Sequence, residues 1–299
     1  MKALLRIATI LLLGVFSTMN LHAAKTGEHA QAARDDAAAH KLGWKLGMQA
    51  WTFHQDTLKD AIDQSAALGL RYIEGFPGQK LGGGLPDEAI FIQGMPTEHM
   101  NTVKAWLYDA GIKMANYGVV GLDTDEAKDR EVFEFAKAMG IQTIVSEPEF
   151  DSFDVVEKLA DEYGINVAMH NHPTPSKYWD PQIVLDHVKG RSKRLGACAD
   201  TGHWVRSGVD PIEALKLLEG RIISLHLKDL SELSAEGHDV PWGTGVDNIP
   251  AIMDELHRQG FKGVFSIEYE YNWGKAMPEL AQCVSFFNEQ AARIAGEKK

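Results

Sequence analysis

The segment from residue 153 to residue 172, FDVVEKLADEYGINVAMHNH, contains the pattern that decides the fold. Its first eleven residues place apolar side chains three and four positions apart, as in an amphipathic helix. Gly164 follows at the position where a helix commonly ends on a residue with positive φ. A short apolar stretch from Asn166 to His170 comes next and is followed by polar residues. The segment therefore predicts a helix, a tight turn and a buried strand.

Strand-like and helix-like stretches alternate in this way from residue 44 onward. The predicted strands are Leu46–Phe53, Tyr72–Phe76, Ile112–Val119, Thr143–Ser146, Asn166–His170, Leu195–Ala199, Ile222–Leu227 and Val264–Tyr269. The predicted helices are Leu58–Leu68, Thr97–Ala110, Asp125–Met139, Phe153–Tyr163, Pro181–Val188, Pro211–Leu218, Ile249–Arg258 and Met277–Ala295. Such alternation implies parallel strands joined by right-handed crossovers. Because no nucleotide-binding glycine pattern follows the first strand, we expect an α/β protein with a single closed (β/α)8 TIM barrel.

The N-terminal residues have the order of charged, apolar and small residues that is typical of a secretory signal peptide. Lys2 and Arg6 come before an apolar run over residues 7–16, and Ala23 and Ala24 follow it. The run is shorter than the roughly 20 apolar residues that span a bilayer, which argues against a membrane anchor.

The chain is thus predicted to contain a signal peptide over residues 1–24, a tether over 25–43 and the catalytic barrel over 44–299. After cleavage of the signal we expect a periplasmic or secreted protein without a membrane partner.

Charge and cysteine content restrict the partners further. The 299 residues have a formal net charge of −12 and no basic cluster, which argues against a nucleic-acid partner. The two cysteines, Cys198 and Cys283, lie in a strand-like and a helix-like stretch, so separate buried thiols are favoured over a disulfide. A homo-oligomer is compatible with the sequence.

Five successive predicted strands are followed by acidic residues or histidines, where a barrel enzyme has its active site. These residues are Glu147, Glu149, His170, His172, Asp200, His203, His226, Asp229, Glu268 and Glu270. Taken singly, His226 fits a hydrogen-bonded core histidine and Asp200 fits a helix cap. Taken together, buried carboxylates at one centre require a partner or a metal. The sequence therefore predicts a site for one divalent ion (Mn, Zn, Co or Mg).

Three short motifs resemble the xylose isomerase-like TIM barrels, also called the sugar phosphate isomerase/epimerase family. They are ADTGH at 199–203, LHLKD at 225–229 and SIE at 266–268, and the resemblance extends from Leu46 to about Ala295. It implies a metal held by a Glu, an Asp, a His and a Glu.

Asp200, His226 and Glu268 match the last three ligands of the family. Ketose epimerases of the family have the first Glu at the end of the fifth strand, where this chain has His170. Either Glu147, one strand earlier, or His170 is then the fourth ligand, and Glu147 is favoured.

The His-Asn-His sequence at 170–172 is similar to that of inosose dehydratases and related keto-sugar lyases and hydratases. This resemblance implies a keto-sugar substrate, such as a 3-keto-glucose derivative or 3-keto-2-hydroxyglucal. It makes His170 or Glu268 the base, with His203 and Lys228 stabilising or protonating oxygens. An ion pair with Asp229 is the other interpretation of Lys228.

Residues near the strand ends are also predicted to bind the sugar. Trp51, Trp204 and Trp242 are candidates for stacking on a sugar ring, with core packing as the alternative. His172 is expected to orient a ligand, and Arg206 to bind an anionic group.

Three other functions are weighed against the lyase or hydratase. A sugar isomerase or epimerase needs the same metal but gives a product of unchanged mass. A non-catalytic periplasmic sugar-binding barrel does not need the full set of Asp200, His226 and Glu268. A relative of the apurinic endonucleases is disfavoured by the acidic charge, by the export signal and by the absence of extra metal-binding histidines on the early strands.

Overall fold

The computed structural model describes residues 35–296. Its strands are β1 Lys45–Gln49, β2 Tyr72–Gly75, β3 Gln79–Lys80, β4 Ile90–Phe91, β5 Lys113–Val120, β6 Thr143–Ser146, β7 Asn166–His170, β8 Leu195–Asp200, β9 Ile222–Leu227 and β10 Val264–Ile267. Its α-helices are α1 Ala37–Leu42, α2 Leu58–Ala67, α3 Thr97–Ala110, α4 Glu126–Met139, α5 Phe153–Tyr163, α6 Pro181–Val188, α7 Thr201–Arg206, α8 Pro211–Leu217, α9 Ile249–Arg258 and α10 Met277–Ile294.

Eight parallel strands close into a barrel, as the sequence predicts. Each strand pairs with its neighbours along the chain, and β1 pairs with both β2 and β10, while β3 and β4 form a separate small antiparallel sheet. The register sets Asp200 beside His226, and His226 beside Ser266. The C-terminal ends of the strands therefore bring their polar residues to one end of the barrel.

Several predicted helices end on glycines in the left-handed conformation, as expected. Gly69, Gly111, Gly140, Gly164 and Gly260 have φ values between 64° and 77°. A residue with a Cβ is strained at such angles, which explains why glycine punctuates the repeat.

Strand ends differ from the sequence prediction where side chains bond to the backbone. β1 ends at Gln49 because its side chain accepts a hydrogen bond from Trp51 N at 3.1 Å and caps a 3₁₀ helix over Ala50–Phe53. β10 ends at Ile267, after which Tyr269 N donates to Thr52 Oγ1 at 2.9 Å. These contacts join the ends of two neighbouring strands, so local sequence patterns do not reveal them.

The segment over 25–43, predicted as a tether or loose helix, contains a short helix where the structure describes it. Residues 37–42 form helix α1, and Ala38 and Ala39 are buried in the main core. Six residues are too few to show a helical repeat, so the sequence does not indicate the bounds of this helix. The predicted signal peptide at 1–24 lies outside the described residues. From residue 35 to residue 296, no helix has both the length and the apolar character needed to cross a bilayer.

The main core lies between the barrel and its helices. Trp44 packs against Phe265 and Phe287, with ring centroids 5.0 and 6.1 Å apart. Cys283 is buried in this core, whereas Cys198 belongs to a smaller apolar cluster with Val145 and Ala168. Both cysteines are free thiols, as predicted.

Asp129 in the first turn of α4 provides a test of stability that is independent of the active site. Both of its carboxylate oxygens accept the backbone N–H of Asp123 at 3.2 Å, and burial raises its pKa to about 6. Because the folded-state pKa is above the unfolded value, Asp129 favours the folded state below about pH 4. This contribution is lost as the pH rises through about 6.

We expect Asp129→Asn, which cannot ionise but keeps an acceptor oxygen, to stabilise the protein at pH 8 but not at pH 4. The gain at pH 8 should be about 1 kcal/mol, or roughly 2–4 °C in Tm. Thermal unfolding of both proteins at the two pH values measures it, and an equal shift at both values contradicts the assignment.

Candidate active site

The candidate site is a cavity of about 270 Å³ at the C-terminal end of the barrel strands. Its lining residues are Gln49, Trp51, Phe76, Pro77, Gly118, Val119, His170, His172, His203, Glu268 and Glu270. Trp51, Phe76, Pro77 and Val119 make one side of the lining apolar. The imidazoles and carboxylates supply hydrogen-bonding groups, a combination typical of a small-molecule site.

Four side chains converge beside the cavity in an arrangement that suits a cation. His170, Asp200, His203 and Glu268 offer nitrogen and oxygen atoms that all lie within 4.8 Å of one another. His226 borders this group, since its Nδ1 lies 3.2 Å from Glu268 Oε2 and 3.9 Å from Asp200 Oδ2. The structure therefore brings the predicted ligands Asp200, His226 and Glu268 together and adds His170 to them.

His226 is oriented by Glu74, a residue that sequence reasoning missed. His226 Nε2 donates to Glu74 Oε1 at 2.8 Å, and both side chains are fully buried. A carboxylate behind an imidazole fixes its tautomer, so that the other nitrogen, Nδ1, faces Asp200 and Glu268. The sequence did carry a signal, because Glu74 is an acidic residue within the apolar strand β2.

Glu74 also joins several strands inside the barrel. Its carboxylate accepts hydrogen bonds from Gln49 Nε2 at 3.0 Å, Asn116 Nδ2 at 3.0 Å and Ser266 Oγ at 2.9 Å. Burial alone raises the pKa of Glu74, but His226 and these donors outweigh it and lower the pKa. Glu74 is thus an ionised, fully bonded carboxylate.

The sequence favours Glu147 as the fourth ligand, but the structure does not place Glu147 beside Asp200. Its Oε1 lies 3.4 Å from His170 Nδ1 and 2.5 Å from His172 Nδ1, and these three residues form a group of their own. Glu147 directly follows β6, the fourth barrel strand, whereas His170 is on the fifth, β7, which lies next to β8 and Asp200. His170 therefore lies beside Asp200, and Glu147 contacts the other nitrogen of the His170 ring.

These side chains fit a divalent metal because two nitrogens have no hydrogen-bond partner and because the donors are a mixture of imidazoles and carboxylates. His226 Nδ1 and His170 Nε2 are buried nitrogens without a hydrogen-bond partner, and His170 Nε2 lies 3.6 Å from Asp200 Oδ2. Burial lowers the pKa of His226, but Cys198, Glu74 and Glu268 raise it well above its ordinary value, so a metal has to displace a proton there. Two imidazoles and two carboxylates are the mixed ligands expected for Zn, Co or Mn.

Lys228 was predicted to contact the substrate, but it is not among the residues that line the cavity. It is fully buried, and its Nζ donates to Asp200 Oδ2 at 2.6 Å and Glu268 Oε2 at 2.5 Å. Asp229, the other predicted partner, instead accepts backbone N–H bonds from Gly243 and Gly245. Lys228 is therefore an internal counter-ion of the carboxylates.

The charges of this cluster shift the ionisation of its members. Burial lowers the pKa of Lys228, but the carboxylates around it raise the pKa well above its ordinary value. Burial raises the pKa of Asp200 and Glu270, yet His203 and Lys228 together hold the pKa of Asp200 well below its usual range, and the same two groups lower that of Glu270 to about 2. Burial also lowers the pKa of His203, so this cavity residue is a neutral imidazole near pH 7.

Gly202 explains why the ADTGH motif needs a glycine. A Cβ at this position would lie 2.7 Å from Lys228 Cβ and 2.9 Å from Lys228 Cδ. The stem of Lys228 thus passes directly over the backbone of α7, whose N-terminus Asp200 caps by accepting from His203 N at 2.8 Å.

Three predicted substrate-binding residues do not line the cavity. Trp204 and Trp242 are buried in the main core, where Trp242 packs against Phe287. Arg206 pairs with Asp239 at 2.9 Å and with Glu270 at 3.3 Å, so its guanidinium is used internally. The sequence alone does not show whether an aromatic residue close to a strand end faces the core or the cavity.

Trp51 and His172 do line the cavity. Trp51 is 40% exposed and is stacked on His54 with the ring centroids 4.8 Å apart. An indole held in this way is suited to the apolar face of a sugar ring.

The fold and the cavity define a TIM-barrel protein with an enzyme-like site rich in metal-binding side chains. Residues 62–289 match the family model of the xylose isomerase-like TIM barrel. The chain belongs to this family.

Named relatives and solved structures agree with this membership. The rhizopine catabolism protein MocC of Rhizobium meliloti is 32% identical over 142 residues, which cover 42% of each chain. Inosose dehydratase of Lacticaseibacillus casei is 23% identical over 281 residues, covering 79% of this chain and 90% of that protein. An uncharacterized protein of Parabacteroides distasonis ATCC 8503 is 35% identical, with a TM-score of 0.68 and coverage of 83% of this chain and 99% of that chain. The chain thus spans less than half the length of MocC.

The IolI protein, whose crystal structure holds a zinc atom, is 19% identical with a TM-score of 0.61, covering 83% of this chain and 98% of that chain. At this identity the likeness shows the fold alone. Together the likenesses place the chain among relatives of sugar-modifying enzymes.

Proposed function

We propose that this protein is a divalent-metal-dependent lyase or hydratase that acts on a keto-sugar, such as a 3-keto-glucose derivative or 3-keto-2-hydroxyglucal. One observation carries the proposal: two buried imidazole nitrogens without partners, His170 Nε2 and His226 Nδ1, face the carboxylates of Asp200 and Glu268 beside a cavity. The names of the inosose dehydratase relatives support dehydration chemistry. The signal-peptide pattern over residues 1–24 supports a location of the protein in the periplasm or outside the cell.

His170, Asp200, His226 and Glu268 are the residues we assign to hold the metal. When bound, such an ion supplies a Lewis acid that polarises the ketone of the substrate. Glu74 and Glu147 hold the two imidazoles in the required orientation. Trp51 offers its indole face to the sugar ring, which orients the reacting carbon toward the polar wall.

We assign Glu268 as the base because it lines the cavity while its Oε2 is anchored by Lys228. Glu268 takes the proton on the carbon next to the ketone, and the electron pair left behind forms the carbon–carbon double bond as the carbon–oxygen bond breaks. His172, half exposed and held through Nδ1 by Glu147, donates a proton to the departing oxygen. Hydration follows the same steps in reverse.

The metal content of the domain tests the proposal. We expect about one Mn, Zn, Co or Mg ion per wild-type chain by elemental analysis, and its loss in Asp200→Asn and in His226→Ala. Lys177→Met, which removes an ion pair with Glu149, serves as the control and should keep the metal. A wild-type chain that binds none of these ions after soaking rejects the mechanism and favours a sugar-binding protein.

Reaction of keto-sugars in D₂O, followed by mass spectrometry, separates the enzyme classes. A lyase or hydratase changes the substrate mass by one water. A product with unchanged composition and one exchanged carbon-bound proton identifies an isomerase or epimerase instead.

A further inference from the structure

Lys228 forms ion pairs both with proposed metal ligands and with a carboxylate outside that set. Its Nζ lies 2.6 Å from Asp200 Oδ2, 2.5 Å from Glu268 Oε2 and 3.0 Å from Glu270 Oε2, and the side chain is fully buried. Two of these oxygens belong to residues that we assign to the metal. The third belongs to Glu270, which is not in that set.

The oxygens that Lys228 contacts also face His170 Nε2 and His226 Nδ1, the two imidazole nitrogens without a hydrogen-bond partner. Asp200 Oδ2 lies 3.6 Å from His170 Nε2, and Glu268 Oε2 lies 3.2 Å from His226 Nδ1. A cation bound by these nitrogens and oxygens therefore uses oxygens that Lys228 now holds. Two positive charges at such short range repel each other strongly in a buried site.

With a divalent ion bound, Lys228 balances the charge of the three carboxylates that it contacts. Asp200, Glu268 and Glu270 together carry three negative charges, and a divalent ion plus one ammonium carries three positive ones. Arg206 does not change this balance, because its other contact, Asp239 at 2.9 Å, provides a carboxylate of its own. Glu270 is thus a carboxylate partner for Lys228 that is not one of the proposed metal ligands.

We infer that Lys228 is a built-in counter-ion that competes with the metal for Asp200 and Glu268 and is retained by Glu270 when the metal binds. Without metal, the ammonium holds the two carboxylates together in a site that is already formed. With metal, Lys228 pairs with Glu270, and the affinity for the ion is the net result of this exchange. The inference rests on the metal site of the proposed function.

Metal titration of the purified protein, stripped of metal with a chelator and held at one pH, tests the exchange. We expect Lys228→Met to bind Co²⁺ and Zn²⁺ at least about tenfold more tightly than wild type by calorimetry, because the competing charge is gone. Lys177→Met removes a positive charge that forms an ion pair with Glu149, and this variant should stay within about twofold of wild type. Metal-free Lys228→Met should also unfold at a lower temperature and regain its stability when Co²⁺ is added.

Glu270→Gln keeps Lys228 and provides a second variant if Lys228→Met does not fold without metal. It should bind metal about tenfold more weakly, because the carboxylates that Lys228 contacts are then the two proposed metal ligands, Asp200 and Glu268. In the Lys228→Met background the same change should have little effect, since no ammonium is left to retain.

The outcomes separate this inference from the proposed function. If wild type binds metal but Lys228→Met binds it equally or more weakly, the competition is rejected while the metal site stands. An equal effect of Glu270→Gln in both backgrounds also rejects it, because Glu270 then acts on the metal directly. Absence of binding in every variant rejects both the metal site and the exchange.

Discussion

Replacing Glu74 with leucine is expected to lower the free energy of unfolding by about 3–5 kcal/mol. The substitution leaves the side chains of Gln49, Asn116, His226 and Ser266 without the acceptor that they share inside the barrel. Each buried donor without a partner costs about 1–3 kcal/mol, although relaxation and water entry reduce the sum. Urea unfolding of both proteins measures the difference.

Glu74→Gln is the matched control and separates stability from metal binding. The amide keeps an acceptor oxygen and nearly the same volume, so most of the stability should remain. It is a weaker acceptor for the N–H of His226, and we expect the metal affinity to fall by about 10–100-fold, as for other carboxylates behind ligating histidines. Unchanged affinity in Glu74→Gln would falsify the positioning role of Glu74.

Asp200→Ala should have the second large effect, because each carboxylate oxygen of Asp200 has a separate task. Oδ1 caps helix α7 at His203 N, and Oδ2 accepts from Lys228 Nζ at 2.6 Å. Losing the cap costs about 1 kcal/mol, and removing one carboxylate from the buried pair costs about 3 kcal/mol. We expect a total loss of about 4 kcal/mol in the free energy of unfolding, together with loss of the metal.

Asp200→Asn distinguishes the two tasks. The asparagine oxygen still caps α7, so this variant should be about 1 kcal/mol more stable than Asp200→Ala. It lacks the charge and should lose metal equally. Equal stability of the two variants contradicts the cap, and retention of metal in Asp200→Asn contradicts the ligand assignment.

The sequence by itself determined the barrel and most of the residues that converge at its mouth. Alternating strands and helices, with glycines such as Gly164 at the helix ends, leave few topologies other than a closed parallel barrel. In a barrel, residues that follow successive strands lie side by side, so Asp200, His226 and Glu268 had to approach one another. Local pattern and chain order suffice for these features.

Only the tertiary structure decided what each side chain contacts. Glu74 and His226 are 152 residues apart in sequence, and their bond follows from strands that meet across the barrel interior. Glu147 stands behind His170 because β6 and β7 are neighbours, and Lys228 reaches three carboxylates because Gly202 leaves room for its stem. Trp204 and Trp242 face the core because the direction of a side chain depends on packing between distant segments. Periodicity places residues on elements, but partners across the barrel are set by closure and packing in three dimensions.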